Sequence, residues 1–112
     1  MSQESGLAKN PEAMAELLDT IQTMISSETN DLAQIERTLT DGYAQALELE
    51  AERSRLERQI AEVTQEIEHG DAAENARELA TLARRLDGNV GTLAKLRTVL
   101  AELRQHANRV RG

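Results

Sequence analysis

The chain has 112 residues, of which 20 are acidic and 13 are Lys or Arg, so its formal net charge is −7. This length fits one domain and is short for a large two-layer catalytic domain. Aromatic residues make up 1% of the chain, which argues against a β-sandwich, a barrel or a Rossmann-type sheet. The absence of Cys excludes disulfides, a thiolate zinc site and a Cys nucleophile.

The beginning of the chain shows no targeting signal. Residues 1–10 are polar and lack the hydrophobic core of a signal peptide, so we expect a disordered tail before a single helical domain at 11–112. No apolar run approaches the roughly 20 residues that a membrane span needs. We therefore expect no membrane span and a cytoplasmic location, with which the lack of Cys is compatible.

A heptad-like stripe runs through most of the chain. Apolar residues recur at alternating steps of four and three from Met14 to Val110, and Pro11 suits the first turn of a helix. The stripe is interrupted where Gly70 suits a helix C-terminus and Asp71 suits an N-cap. This pattern predicts an all-α fold of helices packed lengthwise at shallow angles.

The position of the first turn decides the architecture. A weaker break at Thr40-Asp41-Gly42 predicts helices at about 11–40, 43–69 and 72–109, which would form an antiparallel three-helix coiled-coil bundle about 45 Å long. Without that break, a single helix over 11–69 would form a long helical hairpin that dimerises, nearer to about 85 Å in length. We favour the three-helix bundle.

Three polar residues interrupt the stripe and support that choice. If the chain reverses near Asp41 and again near Gly70, then Glu28, Arg53 and Asn89 come together in one buried polar layer that fixes the register. In the long-helix alternative Glu28 has no partner in its own chain. The simpler interpretation is that these side chains lie at the edge of the stripe and reach water.

Charge is divided unevenly along the chain. Residues 1–70 hold 15 acidic and 5 basic side chains, whereas residues 71–112 hold 5 acidic and 8 basic ones. An acidic first part packed against a basic last helix suits an antiparallel bundle. Because the whole chain is acidic and lacks aromatic platforms for bases, we expect no nucleic-acid partner.

The titratable residues do not predict a catalytic or metal-binding site. His69 and His106 lack a second ligand at helical spacing, so we expect no metal site, no cofactor and no catalytic residue. A thin bundle also has little room for a substrate pocket, so we expect no enzyme. Apolar residues outside the stripe, such as Leu47, Val90 and Val99, either complete the core or form a groove for a partner helix.

Five short segments carry a family resemblance: LLDTI at 17–21, ETNDL at 28–32, DGYAQAL at 41–47, EAERSRL at 50–56 and NVGTL at 89–93. In this order they resemble the FlgN-type flagellar export chaperones, over roughly residues 17–110. Three features are similar to the family pattern: the early Glu-rich stretch, the small break with an Ala/Leu-rich restart, and the Asn in the last helix. The Gly88 and Gly91 pair and the short second loop depart from that pattern.

The resemblance implies a function and a site. Members are cytoplasmic chaperones that hold the C-terminal segment of hook–filament junction proteins, helical when bound, and deliver it to the export gate. Family cargo contacts lie on the last helix, which implies the partner-binding residues Leu93, Leu96, Val99, Leu100 and Leu103. The alternative, from another class, is a structural coiled-coil scaffold or adaptor that acts by self-association as a homodimer.

Overall fold

The structure, a computed structural model, describes residues 10–112, which form three helices and no strand: α1 (Pro11–Ser26), α2 (Leu32–Glu66) and α3 (Ala72–Arg111). The helices α2 and α3 form a long antiparallel hairpin, and α1 packs chiefly against α3. The predicted three-helix bundle is therefore confirmed. Of the expected tail at 1–10, residues 1–9 lie outside the described residues, and Asn10 caps α1.

Side-chain caps start the first and last helices where the sequence predicts. Asn10 Oδ1 accepts hydrogen bonds from the backbone N–H groups of Glu12 and Ala13, at 3.1 and 3.2 Å. Asp71 Oδ1 accepts from Ala73 N–H at 3.0 Å, which places the second turn at the predicted position. Each such cap stabilises its helix by about 1 kcal/mol.

The first turn is not at the predicted position. α1 ends at Ser26 and α2 begins at Leu32, so the break falls before residue 32, and α2 runs uninterrupted through Thr40-Asp41-Gly42. Neither the boundary at residue 40 nor the continuous helix over 11–69 is found. The molecule measures 61 × 29 × 17 Å, longer than expected for three equal helices, because α3 alone has 40 residues.

A Schellman motif ends α1. Glu28 N–H donates to Ile25 C=O at 3.2 Å, and Thr29 N–H donates to Met24 C=O at 3.3 Å. Glu28 takes φ 54°, the left-handed conformation that glycine usually supplies at this position. Asp31 then caps α2, which begins at Leu32, and its side chain accepts from Gln34 N–H at 3.2 Å.

Cross-helix polar contacts fix the register of the α2–α3 hairpin along one side. They join Glu36 to Arg111, Tyr43 to Arg104 and Glu50 to Arg97. The three pairs are spaced seven residues apart on both helices, as expected for antiparallel helices packed along a heptad seam. Because these side chains are exposed, the pairs specify the alignment more than they stabilise the fold.

Gly42 lets α2 approach α3 closely. It lies inside α2, and a Cβ atom built on it would overlap the Cδ2 atom of Leu100. Leu100 is itself only 2% exposed, so it has little room to move away. Gly42 is therefore a packing glycine inside a helix, and not the turn residue that the sequence indicated.

The core is divided into two unequal parts. The larger cluster contains side chains from all three helices, among them Ile21, Ile35 and Leu103. The smaller one joins only α2 and α3, through Leu56, Val63 and Leu82, with Ile60, Leu79 and Leu86 packed against it. We call residues 56–86, which include the second turn, the two-helix arm. One half of the molecule is thus a three-helix bundle and the other half a helical hairpin.

Two glycine substitutions should separate these environments. We expect Gly42→Ala to lower the free energy of unfolding by about 1–3 kcal/mol, because Leu100 must leave its rotamer. Gly88→Ala should raise it by about 0.5–1 kcal/mol, because a Cβ at Gly88 meets no atom within 4 Å and the helix gains propensity. Urea unfolding followed by circular dichroism measures both. A neutral Gly42→Ala would contradict the close packing.

Candidate functional site

One side of α3 forms the seat of α1. Thr92, Val99 and His106 are spaced seven residues apart and so lie on one side of the helix. Thr92 borders the same cleft as Pro11 at the start of α1, and His106 binds Thr29 just after its end. We call this side of α3, marked by Thr92, Val99 and His106, the α1 seat.

His106 fastens the end of α1 to α3. His106 is only 5% exposed, and Nε2 lies 2.6 Å from the carbonyl oxygen of Thr29. Since a carbonyl only accepts, the proton must be on Nε2. Arg109 Nη2 lies 3.5 Å from Nδ1 on the other side of the ring, where it can donate weakly. The sequence did not indicate this role, because nothing local marks Thr29 as the partner of a residue 77 positions away.

The expected partner-binding residues are all in the core. Their exposed fractions lie between 0% and 3%, and they belong to the same cluster as Met14, Ile21 and Met24 of α1. The five residues are Leu93, Leu96, Val99, Leu100 and Leu103. No partner can reach them while the bundle is closed. A partner could contact them only if a helix moved away, and Val99, on the α1 seat, would be uncovered by the departure of α1.

The predicted polar layer does not form. Glu28 is exposed in the first turn, and Arg53 is exposed on α2, where its Nε lies 3.4 Å from Glu57 Oε2. Only Asn89 is buried, at 8% exposure, and its Nδ2 donates to Leu49 C=O at 3.0 Å. The layer fails because the chain reverses before residue 32, which leaves Glu28 in the turn itself.

An open cleft lies where the three-helix half meets the two-helix arm. It has a volume of about 960 Å³, within the range of ligand-binding pockets. Its lining comes from all three helices: Pro11, Met14, Ala15 and Leu18 of α1; Leu49, Glu52 and Leu56 of α2; and Arg85, Gly88, Asn89, Gly91, Thr92 and Lys95 of α3. We call it the junction cleft.

The floor of the junction cleft has two unusual features. A Cβ atom on Gly88 or Gly91 would meet no atom within 4 Å, so the α3 backbone is open there. Asn89 Oδ1 is buried and accepts no hydrogen bond from any group within residues 10–112. The sequence singled out Gly88, Asn89 and Gly91, but it could not show that a helix end lies beside them.

The tip of the two-helix arm is acidic. A shallow depression there is lined by Glu62, Glu66, Glu68 and His69, together with Gln65. Across the described residues, no group of three or more His, Asp or Glu side chains is arranged to hold a metal ion. This depression therefore gives no candidate metal centre.

Some large apolar side chains are exposed on the α2–α3 hairpin. Tyr43, Leu47 and Val90 are exposed to 39%, 66% and 43%. Leu47 and Val90, whose position outside the stripe left open a role in the core, lie outside it. Leu47 is one turn from both Tyr43 and Glu50, which bond across to α3. It therefore lies next to the side that carries the register contacts.

Comparisons with known proteins gave no relative. A scan of protein-family models, a search of curated proteins and a search of solved structures returned no match to this chain. None of the helices in residues 10–112 combines the length and the apolar character needed to cross a membrane.

The two histidines offer a test of how α1 is held. We expect His106→Leu to lower the free energy of unfolding by about 0.5–1.5 kcal/mol, because Thr29 C=O loses its donor. Hydrogen exchange should rise in α1 and stay unchanged in the two-helix arm. His69→Leu, at the exposed second turn, is the matched control. Equal exchange in the two variants would show that His106 does not fasten α1.

Proposed function

We propose that this protein is a chaperone-type binder of helical segments, of the kind that escorts hook–filament junction proteins to the flagellar export gate from the cytoplasm. The observation that carries this proposal is that helices of unequal length pack around one apolar face of α3, with α1 much the shortest. A 16-residue helix covers residues of α3 that a cargo helix of similar length could cover instead. The cargo segment would take the α1 seat while α1 is displaced.

α1 is the helix that can leave at the lowest cost. A 16-residue helix is marginal in water when isolated, so α1 depends on its packing against α3. Its buried contribution comes from Met14, Ile21 and Met24, while α2 and α3 keep a second cluster of their own in the two-helix arm. The hairpin therefore retains part of its core when α1 departs.

The first turn sets how readily α1 leaves. A non-glycine residue in the left-handed region costs about 1 kcal/mol, and Glu28 occupies that region at the end of α1. Because Glu28 is exposed in the turn, it is separate from the apolar contacts of the α1 seat. Substitutions there can shift the balance between seated and displaced α1 without altering the binding surface.

Cargo binding should respond in opposite directions to two variants of Glu28. Glu28→Gly removes the backbone strain, and Glu28→Val increases it, each by about 1 kcal/mol. If α1 must leave, the first should weaken binding about fivefold and the second should strengthen it about fivefold. Calorimetric titration with C-terminal segments of hook–filament junction proteins from the same genome measures both, with scrambled peptides as the control.

Two results would contradict the proposal. Absence of saturable binding by any junction segment would overturn the chaperone function. Binding that is identical in the wild type and in both Glu28 variants would show that α1 does not need to leave, and that the cargo does not use the α1 seat.

A second candidate function is a coiled-coil scaffold that acts by self-association. It is favoured by Tyr43, Leu47 and Val90, which leave apolar surface exposed on the hairpin. A dimer built on a continuous helix over 11–69 is no longer available, because the chain turns between α1 and α2. Self-association would instead pair the hairpins through Leu47 and its neighbours.

Solution mass distinguishes this second candidate. If the hairpins pair, light scattering should give about twice the mass of one chain at high concentration, and Leu47→Glu should return the mass to that of one chain. Gln59→Glu, an exposed position on the two-helix arm, should leave the dimer intact. A wild-type chain that stays monomeric at every concentration tested would contradict the scaffold.

A further inference from the structure

We propose that the junction cleft is a docking site for an acidic amphipathic helical segment of a partner protein, which lies along α3 in line with α1. This inference rests on the proposed function in one respect, since both take a helical segment as the partner. It concerns the cleft beside the first turn of α1, which meets the α1 seat at Thr92, and it requires no movement of α1.

The α1 seat continues beyond the end of α1. Arg85 follows the seven-residue spacing of Thr92, Val99 and His106, and it borders the junction cleft. From Arg85 to His106 this side of α3 is about 32 Å long, whereas α1 is about 24 Å long. The surface that accepts one helix therefore extends past that helix into the cleft.

The cleft accepts a backbone at close range. Gly88 and Gly91 place no side chain between α3 and a partner, and the space over both is open. Apolar side chains border it: Leu18 of α1 is half-buried, whereas Met14 of α1 and Leu56 of α2 are 5% and 1% exposed and lie beneath the surface. Small residues on one helix let a second helix pack closely against its backbone, with apolar side chains on either side.

Asn89 supplies an unused acceptor at the same place. Its side chain is more than nine-tenths buried, it borders the cleft, and its Oδ1 accepts no hydrogen bond within the described part of the chain. A buried acceptor without a donor costs free energy. Oδ1 itself has almost no accessible surface, so a Ser, Thr or Gln donor on the docked helix would reach it once the Asn89 side chain turns toward the cleft.

Charge determines the kind of helix that fits. α3 carries eight basic and four acidic side chains, and the helix already seated on it, α1, carries three acidic and no basic ones. At the cleft, Lys95 forms no ion pair within residues 10–112, and Arg85 binds Glu52 at 3.3 Å. A second acidic helix would bring carboxylates to Lys95, which α1 leaves without an ion pair.

The test uses a peptide of known composition and the full chain. The probe is a blocked synthetic peptide with the sequence of residues 10–27, which has the acidic, amphipathic character of α1. Amide NMR spectra of the labelled protein report the site, because Gly88 and Gly91 lie in the cleft while Val99 and His106 lie under α1. We expect saturable shifts centred on Gly88 and Gly91.

Matched variants make the result decisive. Gly91→Leu fills the cleft and should weaken peptide binding at least tenfold without lowering the melting temperature, since a Cβ there meets nothing. Ala101→Leu, an exposed position elsewhere on α3, should bind as the wild type does. A peptide in which Glu12, Glu16 and Asp19 are replaced by Gln, Gln and Asn should bind several-fold more weakly.

Four results would overturn the proposal. The first is that the peptide does not bind the wild type, and the second is binding that shifts the signals of Val99 and His106, responds to Glu28 variants and ignores Gly91→Leu. The third is that the signals of the cleft shift with protein concentration alone. The fourth is that a spin label on Ser5→Cys broadens the signals of Gly88 and Gly91 without peptide. The second would leave the proposed function standing and place the helix on the α1 seat. The third and fourth would assign the cleft to a second copy and to the chain's own first residues.

Discussion

The difference in length between the helices is the constraint on which the other features depend. α2 and α3, with 35 and 40 residues, pair along a heptad seam, while α1 has only 16 residues. A helix of that length covers less than half of the hairpin. The same mismatch therefore produces the three-helix half, the two-helix arm and the junction cleft between them.

The two halves have different means of stabilisation. The three-helix half buries large side chains such as Ile21, Ile35 and Leu103 completely. The two-helix arm has a narrow seam in which Ile60, Leu79 and Leu86 are only partly buried. Buried apolar area is the main favourable contribution to folding, so the three-helix half stabilises the molecule and the arm extends from it.

The sequence was sufficient for the fold class and for the second turn. The alternating steps of four and three predict helices packed lengthwise, and Asp71 caps α3 as predicted. The first turn was placed wrongly because the heptad phase continues across it and because its left-handed residue is Glu28, where glycine would have been a visible signal. The polar run at 26–31 and the Asp31 to Gln34 spacing were the available signals.

Gly42 shows why such an error arises. The Thr40-Asp41-Gly42 sequence predicts a turn, yet here the glycine allows close contact with Leu100, which lies 58 residues further along the chain. Local sequence cannot distinguish these two uses, because the distinction depends on what packs against the position. The prediction of the polar layer was wrong for the same reason, because it was derived from the misplaced turn. Of its three residues, only Asn89 is buried.

The α1 seat and the junction cleft together suggest how one helix face could receive a partner in stages. The two are continuous along the side of α3 that carries Arg85, Thr92, Val99 and His106. A segment bound in the cleft would meet the first turn of α1, and any further advance along α3 would compete with α1 for the same contacts. Because α1 is held at its other end by the hydrogen bond between His106 and Thr29, displacement would begin at Pro11 and end at Thr29. Binding and release of α1 would then be coupled through a single surface, without any rearrangement of the α2–α3 hairpin.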